Sequence, residues 1–154
     1  MGLDMYLNAK KYVSGFSFET EANKKTFNSL LRAAGLGKKE INNRSSANIS
    51  VNVCYWRKAN QVHNWFVNKC QDGKDDCSEY EVSRESLSAL RQLCQETLET
   101  GTTSLLPTQG GFFFGSTDYN ESYKQDLTDT IKQLNNVLDN PKFDNWSFSY
   151  QSSW

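Results

Sequence analysis

The sequence predicts an α+β fold: a single domain over residues 1–154, with a small mixed or antiparallel sheet covered by about four helices. Three observations lead there. Apolar side chains alternate with a period of two near the start, the middle and the end of the chain, as in half-buried strands. Four further stretches carry apolar residues at helical spacing. The strands are too few and too irregularly spaced for a doubly wound sheet, and no internal repeat or heptad series is present. A chain of this length buries roughly two-thirds of its unfolded surface, enough for a core without staples.

The expected order is β-α-β-α-α-β-α-β. Leu3, Met5 and Leu7 alternate with Asp4, Tyr6 and Asn8 as a first strand. Ala22, Phe27, Leu30, Leu31 and Ala34 stripe a helix from Thr20 to Ala34, with Thr20 as N-cap and Gly35 and Gly37 at its end. Lys38 to Ala47 is polar, has no period and reads as a loop. Ile49, Val51, Val53 and Tyr55 alternate with Ser50, Asn52, Cys54 and Trp56, the clearest strand, which puts Tyr55 and Trp56 on opposite faces. A helix over about residues 59–70 buries Ala59, Val62, Phe66 and Cys70 and leaves His63 beside Asn60 at the border of core and solvent.

Gln71 to Glu79 is an acidic loop without the alternating ligands of a calcium site. Ser83 caps a helix on Leu87, Leu90, Cys94 and Leu98 that ends near Gly101. Leu105 to Ser116 reads as a loop leading into a short buried strand at Phe112-Phe113-Phe114. A last helix runs from about Asp118 to Leu138, and Trp146, Phe148 and Tyr150 alternate as the final strand, with Trp154 expected to be packed.

The balance of 17 basic and 18 acidic residues gives a net charge of −1, which removes any bulk drive toward nucleic acid or an acidic membrane. No apolar run reaches the roughly 20 residues that span a bilayer, and the start of the chain lacks the regions of a signal peptide, so a cytoplasmic protein is expected. Gly2 is not followed by the Ser or Thr that myristoylation requires, since Tyr6 stands there. Cys54, Cys70, Cys77 and Cys94 are 16, 7 and 17 positions apart, without the short paired spacings of a zinc site. Reduced, unpaired thiols and no metal or cofactor are expected.

Aromatic residues make up 13% of the chain, and the densest binding chemistry lies between Tyr55 and Phe66. There Trp56, Arg57, Lys58, Asn60, His63 and Trp65 sit at a strand-to-helix junction. Arg57 and Lys58 can neutralise phosphate, Trp56 or Trp65 can stack a base, and a histidine titrates near neutrality. A second candidate is Gly115-Ser116-Thr117, expected to open a helix with free amides and two hydroxyls. The two segments are expected to line one shared pocket. Neither a P-loop nor a dinucleotide fingerprint is present, and no nucleophile elbow, zinc-protease motif or other catalytic set assembles, so no catalytic residue is assigned.

Four blocks carry a likeness across the whole chain. They are Met1-Gly2-Leu3-Asp4-Met5-Tyr6-Leu7; Tyr55-Trp56-Arg57-Lys58-Ala59-Asn60 with His63 and Trp65-Phe66; Leu105-Leu106-Pro107-Thr108 with Gly111-Phe112-Phe113-Phe114-Gly115-Ser116; and Tyr150-Gln151-Ser152-Ser153-Trp154. Together they resemble a family of small uncharacterised bacteriophage and prophage proteins. The resemblance implies a virus-encoded accessory protein of the host cytoplasm, with host counter-defence as its natural role, and it supplies no catalytic residues. Joined to the candidate residues, it gives the expected function: binding and sequestering a small anionic, nucleotide-derived ligand. The alternatives are direct docking on a host or defence protein, and a small enzyme of nucleotide metabolism using His63.

Overall fold

A computed structural model of the chain describes residues 2–37, 39–42 and 44–154. Met1, at the head of the first resemblance block, and Lys38 and Asn43, in the predicted polar loop, lie outside the described residues. The fold is α+β, with four helices and a four-stranded antiparallel sheet in the order β2-β1-β4-β3. The strands are β1 (Asp4–Ser14), β2 (Ser46–Arg57), β3 (Tyr80–Val82) and β4 (Ser147–Ser153). The helices are α1 (Glu21–Ala33), α2 (Asn60–Cys70), α3 (Arg84–Thr100) and α4 (Glu121–Leu138). Among the described residues no helix is long and apolar enough to cross a membrane.

The chain divides into two compact units, Met1–Ala9 with Val51–Trp154, and Lys10–Ser50. In the smaller unit, Phe27 of α1 and Val13 of β1 are the buried apolar residues. Thr20 caps α1 by accepting the Asn23 amide at 3.3 Å, and Gly35, at φ 72°, ends it.

The larger unit holds the main core. Leu3, Met5 and Leu7 are fully buried and share one core cluster with Val62 and Phe66 of α2 and Tyr123, Leu127 and Leu134 of α4, as the period of two requires. Much of this core is aromatic. Phe66 of α2 stacks on Tyr150 of β4 at 3.9 Å between centroids and 9° between planes, and Trp56 and Trp65 close on Phe66 at 5.9 and 5.2 Å. α3 packs on α4, and Arg84 at its start donates to the Leu138 and Phe143 carbonyls at 2.8 and 3.1 Å, satisfying acceptors where α4 ends.

Two elements differ from expectation. Phe112–Phe114 form a turn, with a single backbone bond to the start of the chain, from the Leu3 amide to the Phe113 carbonyl at 3.2 Å, in place of a ladder; Phe112 is 93% exposed while Phe114 is buried. The remaining strand is Tyr80–Val82, which pairs with β4 as Tyr80↔Tyr150 and Val82↔Phe148. Three residues give no period to read. β1 also runs past Asn8 to Ser14, and α4 begins three residues later than expected, at Glu121 behind the Asn120 cap.

All four cysteines are free thiols, and among the described residues no group of His, Cys, Asp and Glu is placed to hold a metal. Burial pushes the Cys54 and Cys94 thiols up to about 12 and Cys70 to about 11. A thiol-specific reagent at pH 8 is therefore expected to spare Cys54 and Cys94 in the native protein, and to titrate all four after denaturation. A titre of two or none in the denatured, unreduced protein would reveal disulfides.

Candidate functional site

β2 ends at Arg57 and α2 starts at Asn60, so two residues turn the chain. Lys58 makes the turn in a left-handed conformation, φ 60°, which is uncommon for a residue with a Cβ. Its amide donates to the Leu3 carbonyl at 2.8 Å, and its own carbonyl accepts the Asn60 amide at 2.9 Å. Two glycines close on it. A Cβ at Gly2 would stand 3.3 Å from Lys58 Cε, and one at Gly115, itself at φ 89°, only 3.1 Å from Lys58 Cβ.

Asn60 fastens the second segment to this turn. It is buried, and its Nδ2 donates to the Phe114 and Ser116 carbonyls at 3.0 and 2.8 Å while Oδ1 accepts the Gln109 amide at 3.0 Å. One side chain thus satisfies three backbone groups of a loop that has no ladder of its own. Gly115 and Ser116 are held beside Arg57 and Lys58 as a result.

These four residues line one pocket of about 220 Å³. Its far wall comes from the start of α4, with Asp118, Asn120 and Asp126. Ser116 Oγ donates to Asp118 Oδ2 at 2.9 Å, and Gln61 Nε2 donates to Asp126 Oδ2 at 3.0 Å. Burial raises the Asp126 carboxyl above its ordinary value, partly offset by the Gln61 bond. Arg57 lies 3.9 Å from Asp4 with an exposed side chain, and Lys58 makes no ion pair among the described residues. Two cations therefore face two carboxylates. The volume is below the roughly 300 Å³ at which drug-sized ligand sites begin, a size that matches a small polar group.

No family model, curated protein or solved structure matches the chain. The chemistry of the pocket carries the functional reading.

The other expected site residues lie elsewhere. His63 is fully buried, not at the border of core and solvent. Its Nδ1 is 2.7 Å from the Tyr150 hydroxyl, its Nε2 is 3.0 Å from Asp75 Oδ2, and its ring meets Phe114 edge-on at 5.1 Å. Helical spacing misplaced it because Asp75, from the following loop, and Tyr150, from β4, cover the flank that looked open. Trp56 is buried with its indole donating to Thr130 Oγ1 at 2.9 Å, and Trp65 is buried against Phe66. Neither offers a face to a ligand in the pocket. Thr117 is exposed and uses its carbonyl to accept from the Thr108 hydroxyl at 3.0 Å, outside the lining. Nor does the Gly115–Thr117 turn open α4, since Asn120 accepts the Ser122 and Tyr123 amides at 2.9 and 3.3 Å. Trp154 is 47% exposed, yet its indole donates to Asp75 Oδ1 at 3.0 Å and its ring meets Phe114 edge-on.

Asp118, Gln61 and Asp126 line the pocket without having been singled out. A signal for Asp126 was present: it sits beside Leu127 and three residues after Tyr123, on the flank of the buried stripe of α4.

Proposed function

We propose that the protein binds and sequesters a small anionic, nucleotide-derived ligand without altering it, as a phage-encoded accessory protein acting against a defence of the host cytoplasm. The observation that carries this reading is the backbone of Lys58. A side chain held at positive φ costs about 1–3 kcal/mol, and such strain persists where the surrounding structure enforces it, characteristically at ligand sites. Here the strain, the two glycine approaches and the Leu3 bond all present one unpaired ammonium beside Arg57. The phosphate of a nucleotide is a head group that two adjacent cations hold well; the Ser116 hydrogen is already given to Asp118, so Arg57 and Lys58 carry the contact.

His63 has no surface for a substrate to reach, which leaves the enzyme reading without a base. The docking reading keeps one observation in its favour: Val51 and Tyr55 are half-exposed on β2, an edge strand.

The test is incubation of the purified protein with host extract or a nucleotide library, then denaturation and mass analysis of what is released. An intact nucleotide, lost in Arg57→Ala, is the expected result. A converted product would make the protein an enzyme, and a captured host protein with no small molecule would favour docking. Lys58→Gly separates strain from charge. It is expected to raise stability by about 1 kcal/mol, because glycine accepts this conformation freely, while weakening phosphate binding about tenfold. A variant that loses stability would show that the turn is not strained.

A further inference from the structure

Arg57 and Lys58 give the pocket positive charge, but part of its wall is built from acceptors that lack a donor. Gln61, the second residue of α2, lines the pocket although only 2% of it is exposed. Its Nε2 donates to Asp126 Oδ2 at 3.0 Å, and because an ionised carboxylate only accepts, that bond fixes which way the amide points. Its Oε1 has no hydrogen-bond partner among the described residues and is not sealed in the interior, so a held carbonyl opens on the cavity. A nearly buried acceptor of this kind is satisfied by a donor from outside the chain.

Asp126 makes the same demand. Its half-buried carboxylate accepts from Gln61 alone and forms no ion pair among the described residues. Burial and the neighbouring Asp129 raise it above its ordinary value, and no cation acts to lower it, so Arg57 and Lys58 share the pocket without neutralising it. A carboxylate drawn from water without a counter-charge is held at a cost that a positive partner removes. A purely anionic ligand suits Arg57 and Lys58 and is repelled by Asp126, while a bare amine suits Asp126 and is repelled by the two cations. A molecule with both groups meets every charge. An ammonium brings three donors and no acceptor, enough for the carboxylate and Oε1 together, and a space of about 220 Å³ sets it a few bonds from the anion.

We infer that the ligand is zwitterionic, with its anionic group on Arg57 and Lys58 and a protonated amine between Asp126 and Gln61 Oε1. This rests on the anion-binding reading above and adds the group that accompanies the anion. Isothermal titration of the intact protein at neutral pH with O-phosphoethanolamine, propyl phosphate and inorganic phosphate tests the two separately, since the first two match in length and differ by an ammonium against a methyl group. O-phosphoethanolamine is expected to bind at least about tenfold more tightly than propyl phosphate. Asp126→Asn keeps the shape and can still accept from Gln61, so it should move the two apart in sign. O-phosphoethanolamine should weaken about tenfold, while propyl phosphate, freed of a repelling charge, should bind as well or better. Equal affinity for the two in the parent protein, or a parallel change in Asp126→Asn, with both lost in Arg57→Ala, would overturn the amine assignment and leave the anion site standing. If none of the three bound, both readings would fall together.

Discussion

Replacing His63 with alanine is expected to destabilise the protein by about 3–5 kcal/mol, the range for emptying a filled core position and stranding its polar partners. The ring is fully buried, edge-on to Phe114 and bonded on both nitrogens. With its proton on Nε2 it donates to Asp75 and accepts from Tyr150 on Nδ1, so its loss leaves a buried hydroxyl and a half-buried carboxylate without their partner. Asp75 also receives the Trp154 indole, so the loop after α2 and the end of β4 should loosen together. Tyr150→Phe keeps the ring stacked on Phe66 and removes only the hydroxyl, and should cost about 1–2 kcal/mol. Urea unfolding of the two variants measures the series. A His63→Ala protein as stable as the parent but defective in turnover would return His63 to the role of a catalytic base.

The second large effect is expected at Asn60. Asn60→Ala leaves two carbonyls and one amide of the 109–116 loop without their partner and should cost about 2–3 kcal/mol. Asn60→Asp should cost more. The carboxylate can still accept the Gln109 amide, but its other oxygen then faces the Phe114 and Ser116 carbonyls, acceptor against acceptor. Because Asn60 holds Gly115 and Ser116 in the pocket wall, both variants should also weaken the phosphate binding proposed for it, although Asn60 does not line the pocket. Retained affinity with lowered stability would mean that the loop is positioned by other contacts.

The elements with a clear period were legible in the sequence. Leu3, Met5 and Leu7, the stripe of α4 and the Ser83 and Thr20 caps all lie where spacing places them. What escaped was set by partners distant in sequence. Phe112–Phe114 has strand composition, but the loop is fixed by the Asn60 side chain and one bond from the Leu3 amide rather than by a ladder. Tyr80–Val82 became a strand because β4 lies beside it. The Arg57-Lys58 pair and Gly115-Ser116 were legible as two strong local signals, and they do share a pocket. Trp56, His63 and Trp65 were equally strong as chemistry and face the core instead, since residue type alone does not say which side of an element a neighbour will cover.

The strand order also has a consequence for how the chain is made. β1 is the first strand to leave the ribosome, yet it is flanked by both β2 and β4, and β4 begins only at Ser147. Until that segment emerges, β1 has one neighbour and an open edge, with Tyr150 not yet stacked on Phe66. Folding during synthesis should therefore stall at a β1–β2 pair, joined through α1, with the later helices loosely attached, and finish in one late step. Pairing between segments this far apart is slow, and a nascent chain waiting for it is prone to aggregate or to recruit a chaperone.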